Sequence, residues 1–280
     1  MRIYGLNIFN IKLIYYHVKS LLLSPLPIRI YLLQLFMKKF QLGTFEQRLR
    51  CDGVFYPAYA YGMYSAALQA KSLGLKKISA LEFGVGTGNG LIAMEKHAIE
   101  IYNSTGVQFE IYGFDTGKGL PKPKDYRDQG YFWKESDFEM DQRKLEKSLT
   151  FAKLVIGEIK FTINNFIKNN LNFPIGFIAF DLDYYSSTIT SFDIFKVDDN
   201  LLLPRVECYM DDVGSNEVLV ASRGTGVLRA IDEFNNNSSE AKKIFKKEGI
   251  TRIIHSPWNE KIYVFHSFAH YKYNNSVIGR

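Results

Sequence analysis

The chain has 280 residues, 46% of them hydrophobic and 15% aromatic, enough to bury a sizeable core and to exclude general disorder. Its formal charge of +6 is carried by one end: residues 1–50 hold eight basic side chains against Glu46 alone, a net of +7, so the rest stands at −1 and carries no basic stripe of the kind that grips nucleic acid. Two distant cysteines, Cys51 and Cys208, exclude a disulfide scaffold and a zinc site and fit a reducing cytoplasm, Cys208 as a small core residue.

In chain order, residues 1–50 read as a basic, apolar, helical extension and 51–280 as the main domain. Lys12, Lys19 and Arg29 cut the apolar extension into runs of about ten residues, well short of the ~20 that span a bilayer, and Pro25 and Pro27 interrupt any single helix. No small-residue cleavage site follows a clean apolar region, so a secretory signal is not expected. Two readings of the extension stand. In the commoner one its helices pack on the domain or on a second copy in a homo-oligomer. In the other it rests peripherally on an anionic membrane, at the inner face for a cytoplasmic protein.

Past residue 50, helix and strand patterns alternate. Tyr56–Leu73 has helical spacing and ends at Gly74; Lys77–Phe83 is a strand, Leu91–Tyr102 a helix, Gln108–Phe114 a strand. A long polar and aromatic loop, Thr116–Met140, follows, then helix Asp141–Leu149, strand Ala152–Ile156 and helix Phe161–Lys168. Ile175–Phe180 is a strand, Ser186–Phe195 a helix, Arg205–Met210 a strand, Gly226–Asn235 a helix, and the lysine-rich Glu240–Lys247 a further helix. Thr251–His255 and Lys261–Phe265 close the chain as a hairpin. Such alternation predicts a mostly parallel sheet covered by helices on both faces, with a reversed strand at one edge.

The first strand runs into ALEFGVGTGNG, Ala80–Gly90. Glycines 84, 86 and 88 let the backbone turn tightly and approach a ligand, and ligands of such sheets lie beyond the carboxyl ends of the strands. A dinucleotide fingerprint fails because Asn89 stands where its third glycine belongs, and no Lys-Ser/Thr follows for a phosphate loop. Glu82 at the strand tip would repel a pyrophosphate and attract an ammonium. S-adenosylmethionine carries an ammonium and a sulfonium and no phosphate. Asp115, ending the second strand, suits ribose hydroxyls, and Gly157-Glu158 after the third is placed to border the adenine.

Acids recur at the next two strand ends, in IAFDLDYYSST (Ile178–Thr188) and in MDD (Met210–Asp212). Carboxylates converging there repel one another unless a hard divalent cation with oxygen ligands, Mg²⁺ by chemistry, offsets them. His255 and Trp258-Asn-Glu260 carry no assigned role, and Arg223–Gly226 reads as the turn and cap that start a helix.

EFGVGTGNG, YGFDTGKGLP, FDLDYYSST and MDD, in this order and spacing over about Ala80 to Phe234, resemble the metal-dependent O-methyltransferases of the macrocin O-methyltransferase type. The resemblance implies a Rossmann-like class I methyltransferase fold with a seven-stranded sheet. It implies S-adenosylmethionine contacts at Glu82, Gly84, Gly86, Gly88 and Asp115. It also implies Mg²⁺ ligands at Asp183, Asp211 and Asp212, with Asp183 as general base. Leu182 replaces the usual glycine between the paired acids and Val213 the usual tyrosine after Asp-Asp, departures that bear on the substrate. The expected acceptor is a saccharide hydroxyl. Tyr126, Tyr131, Phe132 and Trp133 either stack on a pyranose face or plug a lid. The rivals are an NAD-dependent oxidoreductase and a non-catalytic membrane-associated scaffold that keeps the fold.

Overall fold

A computed structural model describes residues 2–3, 6–7, 28–214, 218–219, 222–250 and 256–275. The chain divides into two compact units, the first within Met1–Phe55 and the second beginning at Tyr56.

In the first unit, helix α1 spans Ile28–Phe40 and α2 spans Phe45–Arg50. Thr44 and Gln47 form a reciprocal capping box that starts α2. The buried Arg48 guanidinium donates to the carbonyls of Gln41 and Gly43, bracing the turn between the helices. Among the described residues no helix is long and apolar enough to cross a membrane. Most of the apolar extension, residues 8–27, lies outside the described residues.

The second unit is built on seven strands: β1 (Lys77–Phe83), β2 (Gln108–Asp115), β3 (Lys153–Ile156), β4 (Ile175–Phe180), β5 (Leu202–Met210), β6 (Lys242–Lys246) and β7 (Ile262–Ser267). They lie in the order β3-β2-β1-β4-β5-β7-β6. All are parallel except β7, which pairs antiparallel with both neighbours. The reversed strand thus stands one place in from the edge. β1 and β4 coincide with the apolar runs expected from sequence, because central parallel strands are buried on both faces and show no alternation.

Helices α3 (Pro57–Ser72) and α4 (Asn89–Thr105) pack together on one face of the sheet. The approach of α3 is close because its inner residues are small. A Cβ on Gly62 would fall 2.4 Å from the Phe177 ring. The Gln69 amide clips this helix to β5, donating to the Arg205 carbonyl at 2.6 Å and accepting its N–H at 3.2 Å. After the short α5 (Gln142–Ser148), helices α6 (Ile159–Asn169), α7 (Tyr185–Ser191) and α8 (Gly226–Asn237) cover the other face. There the core is aromatic, with Phe83, Phe114, Phe180, Phe192 and Phe265 all buried.

Two elements depart from the sequence reading. β5 begins at Leu202 rather than Arg205 and carries Pro204. Its pairing with β4 jumps from Ile175↔Leu202 to Phe177↔Glu207, so the proline falls in an irregular stretch where a ladder N–H is not needed. Glu240–Lys247, expected as a helix, instead contains strand β6, which pairs with β7 in place of the expected partner Thr251–His255; that segment lies outside the described residues. The lysines read as a solvated helix face. What decides the conformation is Asn235 on α8, whose side chain accepts from the Ile244 N–H at 2.8 Å and donates to the Ile244 carbonyl at 2.7 Å. Asn235→Ala is expected to cost about 2 kcal/mol, since it strands two backbone groups; urea denaturation measures it.

Candidate functional site

The glycine loop leaves β1 at Gly84, whose φ of +86° and whose N–H bond to the Phe114 carbonyl at 2.9 Å turn the chain away from the sheet. A Cβ there would lie 1.7 Å from the Asp181 carbonyl oxygen, so this position must be glycine. Gly84 and Gly86 line a cavity of about 990 Å³ at the carboxyl ends of the strands. Gly88 does not line it. It caps α4, and a Cβ there would meet Leu145 at 2.1 Å.

Glu82 faces the same cavity while only 2% exposed. One carboxylate oxygen accepts from the Tyr59 hydroxyl at 2.9 Å, and the other has no hydrogen-bond partner. Burial pushes this carboxyl up to about 8, against the pull of the Tyr59 hydroxyl. Asp115 also lines the cavity, but its carboxylate holds the loop together: it accepts from the N–H groups of Val85 at 2.9 Å, Gly86 at 3.0 Å and Gly117 at 2.7 Å. A carboxylate offers about four lone-pair sites, so one place remains for a ligand hydroxyl. Glu158, exposed at the N-cap of α6 with no capping bond of its own, lines the cavity together with Gly157.

β4 is prolonged by Asp181, whose N–H donates to the Phe83 carbonyl at 2.8 Å. Two residues on, Asp183 takes a left-handed backbone, φ +59°. Asp181, Asp183 and Asp212 each present an oxygen within 4.8 Å of the others. Burial, and then neighbouring negative charge, raise all three carboxyls: Asp183 to about 8, with Asp212 its foremost neighbour, Asp212 to about 7, and Asp181 well above the usual range, with Asp211 the foremost neighbour of both. One oxygen of Asp212 is buried without a partner. Asp211 lines the cavity but stands outside this triad, accepting from Lys261 at 2.7 Å and from the Tyr209 hydroxyl.

The sequence-expected residues Glu82, Gly84, Gly86, Asp115, Glu158, Asp183 and Asp211 therefore border one cavity, while Asp212 joins Asp183 in the acid triad. Sequence reasoning missed Asp181, Tyr59 and Lys261. The first had a signal, since acids two apart after a strand end both remain near its tip; the others come from distant segments. Among the loop aromatics, Trp133 and Phe138 line the cavity, whereas Tyr126 and Tyr131 are 74% and 66% exposed. His255 lies outside the described residues. Trp258 packs against Tyr61, Glu260 pairs with Lys246, and Arg223 pairs with Asp232.

No family model matches the chain, and no curated protein does. Solved structures do. Calicheamicin methyltransferase CalS11 is similar at 18% identity over 91% of each chain, with a TM-score of 0.51. Its apo form, described as a TDP-rhamnose 3′-O-methyltransferase, aligns at 18% identity over 92% of this chain and 94% of that one, TM-score 0.44. An O-methyltransferase from Bacillus cereus in complex with SAH aligns at 12% identity over 89% and 94%, TM-score 0.41. Strand order 3-2-1-4-5-7-6 with the seventh strand reversed, a glycine loop after the first strand, and the likeness to CalS11 agree: the chain has the fold of the class I S-adenosylmethionine-dependent methyltransferases.

Proposed function

We propose that the protein is an S-adenosylmethionine-dependent O-methyltransferase that uses a divalent cation and methylates a saccharide hydroxyl. The observation that carries this reading is the shared cavity: the glycine loop, Glu82, Asp181 and Asp183 all border it.

Both groups fit the residues present. The unpartnered Glu82 oxygen and the bare backbone of Gly86 form a cradle for the aminoacyl end of the methyl donor. Three raised carboxyls with an orphaned Asp212 oxygen form an all-oxygen donor set suited to Mg²⁺. When bound, the donor supplies an electrophilic methyl and the cation supplies Lewis acidity that makes a hydroxyl easier to deprotonate. The chain does the rest. Asp183 accepts the acceptor's proton at a carboxylate oxygen. Asp115 and the glycine loop orient the donor. Trp133, Phe138 and Leu120 wall the cavity with apolar surface that excludes water. CalS11, named for a TDP-sugar substrate, supports a saccharide acceptor. Asn89 in place of a third glycine speaks against the NAD alternative. An acid triad kept at the cavity speaks against a spent scaffold. Calorimetry with S-adenosylhomocysteine, NAD and neither separates the three: binding of NAD alone, or of nothing, overturns the reading.

The carboxyls give a pH signature. In the unfolded chain they titrate near 4, whereas in the folded protein Glu82 and Asp183 titrate near 8 and Asp212 near 7. Between these values the folded state holds more protons, so stability falls as pH rises. Chelator-treated protein is expected to lose melting temperature from pH 5 to pH 8.5, and Mg²⁺ to restore it at pH 8.5 but little at pH 5. A flat profile under EDTA refutes the clustered acids.

The second part of the proposal concerns α1. Leu32, Leu33, Leu35, Phe36 and Phe40 are all exposed on it, in a segment with a net charge of +7. That pairing of apolar surface with positive charge suits an anionic bilayer better than a second, equally basic copy. Co-sedimentation with phosphatidylglycerol vesicles, but not with phosphatidylcholine vesicles, is the expected result.

A further inference from the structure

The long loop between β2 and α5 was singled out for its aromatics, yet its two most deeply buried residues are polar. Asp128 is fully buried and Gln129 is 2% exposed. The Asp128 carboxylate reaches 58 residues along the chain to the start of α7, accepting from the Ser186 N–H at 2.7 Å and the Ser186 hydroxyl at 2.9 Å, with the Lys124 N–H at 2.8 Å completing its shell. Gln129 reaches the other way: its amide donates to the Leu219 carbonyl at 2.5 Å, and its oxygen sits where a Cβ on Gly226, the first residue of α8, would come within 2.4 Å. Arg127, next in the chain, repeats the pattern. Its guanidinium lies 4.2 Å over the Tyr185 ring of α7, donates to that hydroxyl at 2.8 Å and pairs with Glu233 of α8.

These three residues therefore join the two segments that follow β4 and β5. Ser186 comes three residues after Asp183. Leu219 and Gly226 lie between Asp212 and the body of α8. Three carboxylates within 4.8 Å repel one another. The β4–β5 pairing that ends at Phe180↔Met210 and a hydrogen bond from the Asp183 backbone to the Asp212 carboxylate oppose that repulsion, and the contacts of Asp128 and Gln129 add to them. We propose that Asp128 and Gln129 are positioning residues: a clamp that sets the distance between Asp181 and Asp183 on one side and Asp212 on the other, and so preorganises the divalent-cation site. The inference rests on the acid triad being that site. A clamp of this kind acts as the outer support of a metal centre does, lowering the cost of gathering like charges before the ion arrives.

The test uses Mn²⁺ as probe, followed by electron paramagnetic resonance of the free ion, with S-adenosylhomocysteine binding measured by calorimetry on the same samples. Asp128→Asn places an amide N–H₂ against the Ser186 donors. It is expected to weaken Mn²⁺ binding about tenfold and to leave S-adenosylhomocysteine binding within about twofold, a change typical of lost outer support. Gln129→Ala, a milder change that keeps the Asp128 bonds, should do the same to a smaller degree and serves if Asp128→Asn does not fold. Asn235→Ala, which loosens the hold on β6 and leaves the Asp128 and Gln129 bonds in place, should leave Mn²⁺ affinity unchanged. Unchanged Mn²⁺ affinity in both clamp variants, or an equal loss in Asn235→Ala, overturns the clamp. If the wild-type protein binds no Mn²⁺, the triad is not a cation site and the clamp falls with it; if wild type binds and the clamp variants match it, only the clamp falls.

Discussion

Asp183→Asn is expected to lower methyl transfer by about a thousandfold or more while leaving S-adenosylhomocysteine affinity within about twofold. Two losses coincide in one side chain. The amide cannot take the acceptor's proton, and it offers a single neutral oxygen to a cation that Asp181 and Asp212 alone must then hold. The left-handed backbone at Asp183 tolerates asparagine as well as any side chain, so folding should survive the change. Asp211→Asn provides the contrast. Its carboxylate is already engaged by Lys261 and Tyr209 and lies outside the triad, so its loss should cost far less. A steady-state assay with titrated Mg²⁺ separates the two. Equal losses would place Asp211 in the ligand set beside Asp183, as the sequence motif implies.

Gly84→Ala should be the most damaging single methyl in the molecule. The new Cβ would stand 1.7 Å from the Asp181 carbonyl oxygen, which belongs to the backbone and cannot swing aside. It would also force φ +86° on an alanine. A destabilisation above about 3 kcal/mol is expected, together with loss of donor binding, because relief requires β1 and β4 to part where both the glycine loop and Asp181 are anchored. Gly74→Ala isolates the backbone share: φ is +75° there but the space is open, so about 1 kcal/mol is expected. Urea melts of the two variants give the difference, and a Gly84→Ala protein as stable as Gly74→Ala would mean the close approach does not exist.

The central strands, the glycine loop and the acids at strand ends were legible because each is a local pattern. A six- or seven-residue apolar run closed by glycine or aspartate says strand, tip and turn at once. Strand β6 was not legible. Its four lysines within 242–247 look like one solvated helix face, and the bonds that hold it extended come from Asn235 and from β7. That Asp211 is the acid bound by Lys261 was not legible for a similar reason. Neighbouring acids are equivalent on paper until Lys261, 50 residues away at the entrance to β7, claims one of them. Likewise Asp115 reads as a ribose acceptor, yet most of its capacity goes to its own loop.

The place of β7 has a consequence for how the molecule is made. This strand slots between β5 and β6 although both are synthesised before it. Until Ile262–Ser267 leave the ribosome, the nascent protein therefore presents β5 as a raw margin and β6 without a neighbouring strand, and Asp211 still lacks Lys261. Completion is a late insertion, of the slow non-local kind, and stalled translation short of residue 262 should yield a species that chaperones hold rather than a smaller folded domain.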